Sequence, residues 1–198
     1  IPFYPLLPSP QSLGQSLVKN SVQTIASETG RLLYESGLNL NLAPVLDLGS
    51  ISSSSFVSTR SYSDNPNEMA KYAYDHSKEM ILNRVIPTAK HFPGSLNIAA
   101  DPHNTSFIYS RTISELNATE LIPFYSFAKL GRFSAVMLAH YSYTAFDSDG
   151  TPASMSKNVI SYLREKIKFN GLIITDDFQM KGASSVLSPP EAAFKSLQ

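Results

Sequence analysis

Cysteine is absent from the 198 residues. That excludes a disulfide scaffold, a zinc–thiolate site and a cysteine nucleophile, and leaves the compartment open. Neither sign of charge is in excess: 16 Lys and Arg residues are matched by 16 Asp and Glu, for a formal net charge of zero. A nucleic-acid partner or an anionic membrane surface would require a basic patch, so neither is expected. No apolar run reaches the roughly 18 residues of a membrane span, and no stretch has the pattern of a signal peptide. The glycine fingerprints G-x-G-x-x-G and G-x-x-x-x-G-K-S/T are missing too, which removes the usual support for a dinucleotide or P-loop site. Charged residues are sparse at 16%, whereas 42% are apolar, with 11 Phe and 10 Tyr. Such a chain has the material for a dense core and is not a disordered one.

Four short apolar runs stand out: 40–44, 85–89, 135–139 and 172–175. Each is too short for a helix and nearly all apolar, as expected of parallel strands buried on both faces. Stretches with helical spacing separate them. The first covers 10–36, with Ser9 as N-cap and Pro10 in the first turn; the second covers 67–82 after an Asn65-Pro66 start. Others are expected over 113–130, over 156–168 with Ser156 as cap, and over 190–197. Strict alternation of helix and strand predicts an α/β fold with a parallel sheet.

Ionisable residues gather just after the strands: Asp47, then Lys90 and His91, then His140, then Asp176 and Asp177. Ligands of α/β folds bind at the carboxyl ends of strands. Sites at four strand ends fit a barrel better than a doubly wound sheet, which concentrates its site at one switch point. Asp101 and His103 sit two apart in the long loop after the second strand, close enough for the carboxylate to orient the imidazole for general acid–base work. A solvated surface pair is the alternative. Alternation along the last strand should turn one of Asp176 and Asp177 toward the barrel mouth, as a potential nucleophile, and the other away. A helix N-cap is the competing use. Arg60 and Lys90 are candidate cations for substrate hydroxyls, and His140 alone is more easily read as structural.

Taken in order, these segments resemble the bacterial β-N-acetylglucosaminidases of glycoside hydrolase family 3. The family pattern K-H-F/I-P-G, six residues, D-S-H appears as KHFPG, SLNIAA, DPH, with His91 and His103 at the family's spacing. The pattern S/T-D-D-L/F-x-M appears as TDDFQM over 175–180. N-L-x-P-V-L-D is present at 41–47, R-S/T-F/Y at 60–62, and the A-V-M-x-A-H strand at 135–140.

The resemblance implies a (β/α)8 TIM-barrel type, here a partial barrel of about four βα units. It also implies one catalytic domain over 1–198, expected to be a fragment that lacks N-terminal and C-terminal barrel strands. The activity implied is retaining hydrolysis of terminal β-linked N-acetylglucosamine from cell-wall- or chitin-derived saccharides, with an oligosaccharide or muropeptide as substrate. Asp176 would be the nucleophile, His103 the acid/base in a dyad with Asp101, and Arg60, Lys90 and His91 the sugar-binding residues. Asp47 would have a supporting role. No cofactor and no metal are implied, and a bacterial source fits, in the cytoplasm or secreted to the cell envelope.

Two departures accompany the match. Ser95-Leu96 stands where the family usually has His-Gly, and Pro102 where it has Ser; the proline restricts its own backbone and that of Asp101. The family's D-Q-E-G-G strand end, which binds sugar hydroxyls, has no counterpart in the sequence.

Two other readings are open. One is a metal-dependent barrel hydrolase built on His91, Asp101, His103, His140 and Asp176, although no H-x-H follows a first strand and Lys90 would repel a cation. The other is a non-catalytic glycan-binding relative. The sequons at Asn104 and Asn117 are read as chance.

Overall fold

The computed structural model describes residues 7–49, 57–98 and 106–197. Helix α1 (Pro10–Gly14) opens on Ser9, whose hydroxyl accepts the Ser12 amide at 3.2 Å. The expected helix over 10–36 is broken, and α2 (Ser21–Glu35) begins only after Asn20 in the left-handed region at φ 60°. Contact explains the break. Gly14 lies so close to the Tyr62 carbonyl that a Cβ would sit 1.9 Å from its oxygen, and the Tyr72 hydroxyl donates to the Gly14 carbonyl. Those contacts hold α1 to the segment around Tyr62, and the chain must turn before α2 can lay Val22, Ala26 and Gly30 inward.

Strand β1 (Leu40–Asn41) leads to a 3-10 turn (Ser58–Arg60) and then α3 (Pro66–Leu82). Asn65 caps α3 through two side-chain bonds and Pro66 occupies its first turn, as the sequence predicts. Strand β2 (Ile86–Phe92) is followed by β3 (Ile108–Tyr109). The helix expected over 113–130 is two helices, α4 (Ile113–Ala118) and α5 (Ile122–Ala128). Pro123 lacks the amide that would bond the residue four back, so the helix restarts there. Strands β4 (Ala135–Leu138) and β5 (Ser142–Tyr143) come next. Helix α6 (Lys157–Glu165) is capped by Ser156 and ends three residues before its expected limit, ahead of Lys168 at φ 63°. Strand β6 (Leu172–Thr175), α7 (Lys181–Ser184) and α8 (Pro189–Ser196) complete the described order.

The main sheet runs β1-β2-β4-β6, every pair parallel, giving four βα units. Residues 43–46 continue alongside β2 through Thr88 N to Ala43 O, Lys90 N to Pro44 O and Leu46 N to Lys90 O. The burial expected of the strands is met in full by β4 alone. The inner strand β4 is fully buried, whereas β6 is half-exposed, with Leu172 at 49%. The reason is position: β1 and β6 are the outer strands of this sheet, and each has one side unpaired among the described residues. A two-stranded parallel sheet, β3-β5, was not legible in the sequence. The core lies around β2 and β4, where Phe92 stacks edge-on against Phe124 and Val136 and Leu138 meet Phe127 and Phe169. No helix among the described residues is long and apolar enough to cross a membrane.

Candidate active site

The parallel register brings the strand ends together, and their polar side chains with them. Asp47, His91, Ser95, His140, Tyr141 and Asp176 line one cleft. At its base is Asp47, 2% exposed. Its Oδ2 accepts both the backbone N–H of His91 at 3.0 Å and His91 Nδ1 at 2.7 Å, while Oδ1 accepts the Ser95 hydroxyl at 2.7 Å. Burial alone would raise this carboxyl; the charge of His91 and the bonds from His91 and Ser95 outweigh it and hold the group below the usual carboxylate range.

Because a carboxylate can only accept, His91 donates through Nδ1. Its Nε2 then points at Asp176, 3.6 Å from Oδ2. The other Asp176 oxygen accepts the Asp177 amide at 2.9 Å, which orients the carboxylate. Of the two adjacent aspartates, Asp176 therefore faces the cleft, as strand alternation predicts. Asp177 is exposed and accepts the Gln179 amide in a local turn rather than capping a long helix.

His140 behaves as a structural residue. Its Nε2 donates to the Asp177 carbonyl at 3.0 Å and its Nδ1 is 2.8 Å from the Ser154 hydroxyl. Burial, the largest influence, lowers its pKa. With both ring nitrogens engaged, it offers no lone pair to the metal arrangement considered above, and no three His, Asp or Glu residues among those described are grouped to hold a metal ion.

Lys90 and Arg60 line a second cleft with Leu42, Pro44, Tyr62 and His76. Burial depresses the Lys90 ammonium and the neighbouring Arg60 charge adds to this, with Asp176 and Asp47 acting in the opposite direction. Arg60 is placed by its neighbour: the buried Ser61 hydroxyl donates to the Asp47 carbonyl at 2.9 Å and accepts the Gly49 amide. Asp101, Pro102, His103 and Asn104 lie outside the described residues. The other sequon residue, Asn117, has its amide bonded to Ile113 and Tyr162.

The family model for the glycosyl hydrolase family 3 N-terminal domain matches residues 4–198. The chain belongs to glycosyl hydrolase family 3. Its α/β architecture with parallel βα units is that of this family's (β/α)8-type domain. A beta-hexosaminidase of Tolumonas auensis is 35% identical over 180 residues, covering 88% of this chain and 53% of the relative. The chain spans about half the length of the curated relatives it matches. Among solved structures, the beta-N-acetylglucosaminidase of Thermotoga maritima superposes with a TM-score of 0.84 at 28% identity, over 100% of this chain and 41% of that one. A family 3 beta-N-acetylglucosaminidase from Paenibacillus gives 0.87 at 26% identity, over 94% and 36%.

Within this family 3 domain, sequence reasoning undervalued two residues. Asp47 ends the N-L-x-P-V-L-D segment, a signal that could have promoted it from a supporting role. Ser95 registers in the sequence only as a departure from the family pattern, yet its hydroxyl is bonded to Asp47. Nothing local in the sequence pairs residues 48 positions apart.

Proposed function

We propose that the protein is a retaining glycoside hydrolase that removes terminal β-linked N-acetylglucosamine from cell-wall- or chitin-derived oligosaccharides or muropeptides. The observation that carries this reading is the Asp176 carboxylate, with one oxygen tied to the backbone and the other turned into a cleft beside His91. An oriented carboxylate at a strand end is what a glycosidase nucleophile requires. The printed names of the relatives, beta-hexosaminidase and beta-N-acetylglucosaminidase, support the sugar.

In the first step Asp176 attacks the anomeric carbon as the glycosidic C–O bond breaks. The His103 imidazolium gives its proton to the leaving oxygen. Water then attacks the glycosyl–Asp176 ester, losing a proton to His103 and freeing the carboxylate. In this reading Asp101 is the partner of His103, Arg60 and Lys90 donate to sugar hydroxyls, and His91 meets a sugar hydroxyl through Nε2. The chemistry needs no cofactor.

The test is hydrolysis of an aryl β-N-acetylglucosaminide against the matching aryl β-glucoside. Turnover of the N-acetyl substrate is expected, and Asp176→Ala should lower it at least about a thousandfold. His103→Ala should be most harmful with poor leaving groups, which need protonation. Unchanged turnover in Asp176→Ala would overturn the mechanism, and preference for the glucoside would overturn the substrate.

A further inference from the structure

Asp47 is an expensive residue to bury, and apolar packing at the same place would stabilise the sheet at lower cost. Its three bonds reveal a more specific arrangement. Two of them come from one residue and converge on one oxygen: the His91 amide at 3.0 Å and His91 Nδ1 at 2.7 Å. A backbone donor and a ring donor on the same atom fix both torsions of the His91 side chain. The third bond, from Ser95 to the opposite oxygen at 2.7 Å, stops the carboxylate from rotating. Ser95 is 3% exposed, and its own turn is held by the Tyr143 hydroxyl on the Gly94 carbonyl and by the Leu96 amide on the Tyr109 hydroxyl.

We infer that Asp47, locked by Ser95, is a positioning residue that fixes the ring proton on Nδ1 whenever His91 carries only one, and aims Nε2 at Asp176. The inference rests on the hydrolase reading, because it gives Asp47 a role in that site, but its physical core is a tautomer that can be measured without substrate. A ring held this way presents an Nε2 lone pair to a sugar hydroxyl, or an N–H to Asp176 when the ring is charged. A flipped tautomer would present an N–H under all conditions and change how the nucleophile is solvated. The serine that replaces the family's histidine at position 95 is then a working part of the site.

The experiment is nitrogen-15 NMR of histidine-labelled full-length protein in alkaline buffer, with His91 assigned from its disappearance in His91→Gln. The expected result is the Nδ1–H tautomer for His91 in the native protein. Asp47→Ala, which removes the acceptor for Nδ1–H, should raise the Nε2–H fraction. It should also lower kcat/KM for the aryl N-acetylglucosaminide by at least about tenfold, as wrong-tautomer substitutions do. Ser95→Ala should reduce the Nδ1–H fraction, and Ser95→Thr, which keeps the hydroxyl, should restore it.

Native His91 as Nε2–H, or Asp47→Ala with the native Nδ1–H fraction, would overturn the inference. If Asp47→Ala does not fold, the native tautomer and the Ser95 pair decide the matter. The hydrolase reading fails separately: persistent turnover in Asp176→Ala would remove it while leaving the Asp47–His91 clamp standing.

Discussion

Glu120 is completely buried, and it supports the turn that carries Ser95. Its carboxylate accepts the Tyr109 hydroxyl at 2.5 Å, lies 2.9 Å from Arg111 Nη1 and also accepts the Thr119 hydroxyl. The Tyr109 hydroxyl in turn accepts the Leu96 amide at 3.1 Å. Replacing Glu120 with alanine strands the Arg111 charge and leaves the Tyr109 and Thr119 donors without their acceptor. Losing one partner of a buried ion pair costs about 3–5 kcal/mol. The Arg111 side chain is 25% exposed, and its Nε is buried without a partner among the described residues, so water recovers part of that loss at one end only. The expected cost of Glu120→Ala is therefore at the low end, about 3 kcal/mol, or a melting shift of roughly 6–12 °C for a domain of this size.

Glu120→Gln keeps an acceptor for Tyr109 and should cost about half as much. Urea unfolding followed by circular dichroism gives both values, with an unchanged m-value showing that the denatured state is not responsible. A cost below about 1 kcal/mol for Glu120→Ala would refute the reasoning, because it would mean that this carboxylate is not the acceptor on which the cluster depends.

The remaining predictions concern pH and backbone. His76, 9% exposed and 2.9 Å from the Tyr62 hydroxyl, is pushed down by burial to about 4. The unfolded chain therefore binds a proton between pH ~6.5 and ~4 that the folded chain refuses, and stability falls by up to about 3 kcal/mol as pH drops through that window. Unfolding measured at pH 7 and pH 4.5 should show this slope, and His76→Phe should flatten it; an equal slope in the variant would assign the effect elsewhere. Gly94 has φ +97°, and a Cβ there would lie 3.0 Å from the Glu120 carbonyl oxygen and 3.2 Å from the Phe124 ring. Gly94→Ala should cost about 1–3 kcal/mol and weaken turnover through Ser95, and a thermally neutral variant would contradict the crowding.

Sequence alone determined the elements whose signals are local. Asn65-Pro66 and Ser156 start α3 and α6 because a side-chain oxygen and a fixed φ act within one turn. Strands β2, β4 and β6 were legible as apolar runs, and strand-end placement marked Lys90, His91 and Asp176 before any coordinates. The motif order identified the family. Tertiary contact decided the rest. Gly14 against the Tyr62 carbonyl breaks the first helix, and the outer position of β6 leaves Leu172 half-exposed despite an apolar sequence. The meeting of Asp47, His91 and Ser95 depends on residues 43–46 running in register beside β2, and the approach of Asp176 on β4 lying between β2 and β6. Hydrogen bonds between residues 44 and 48 positions apart leave no periodic trace in a chain, because they exist only once parallel strands have fixed which ends coincide.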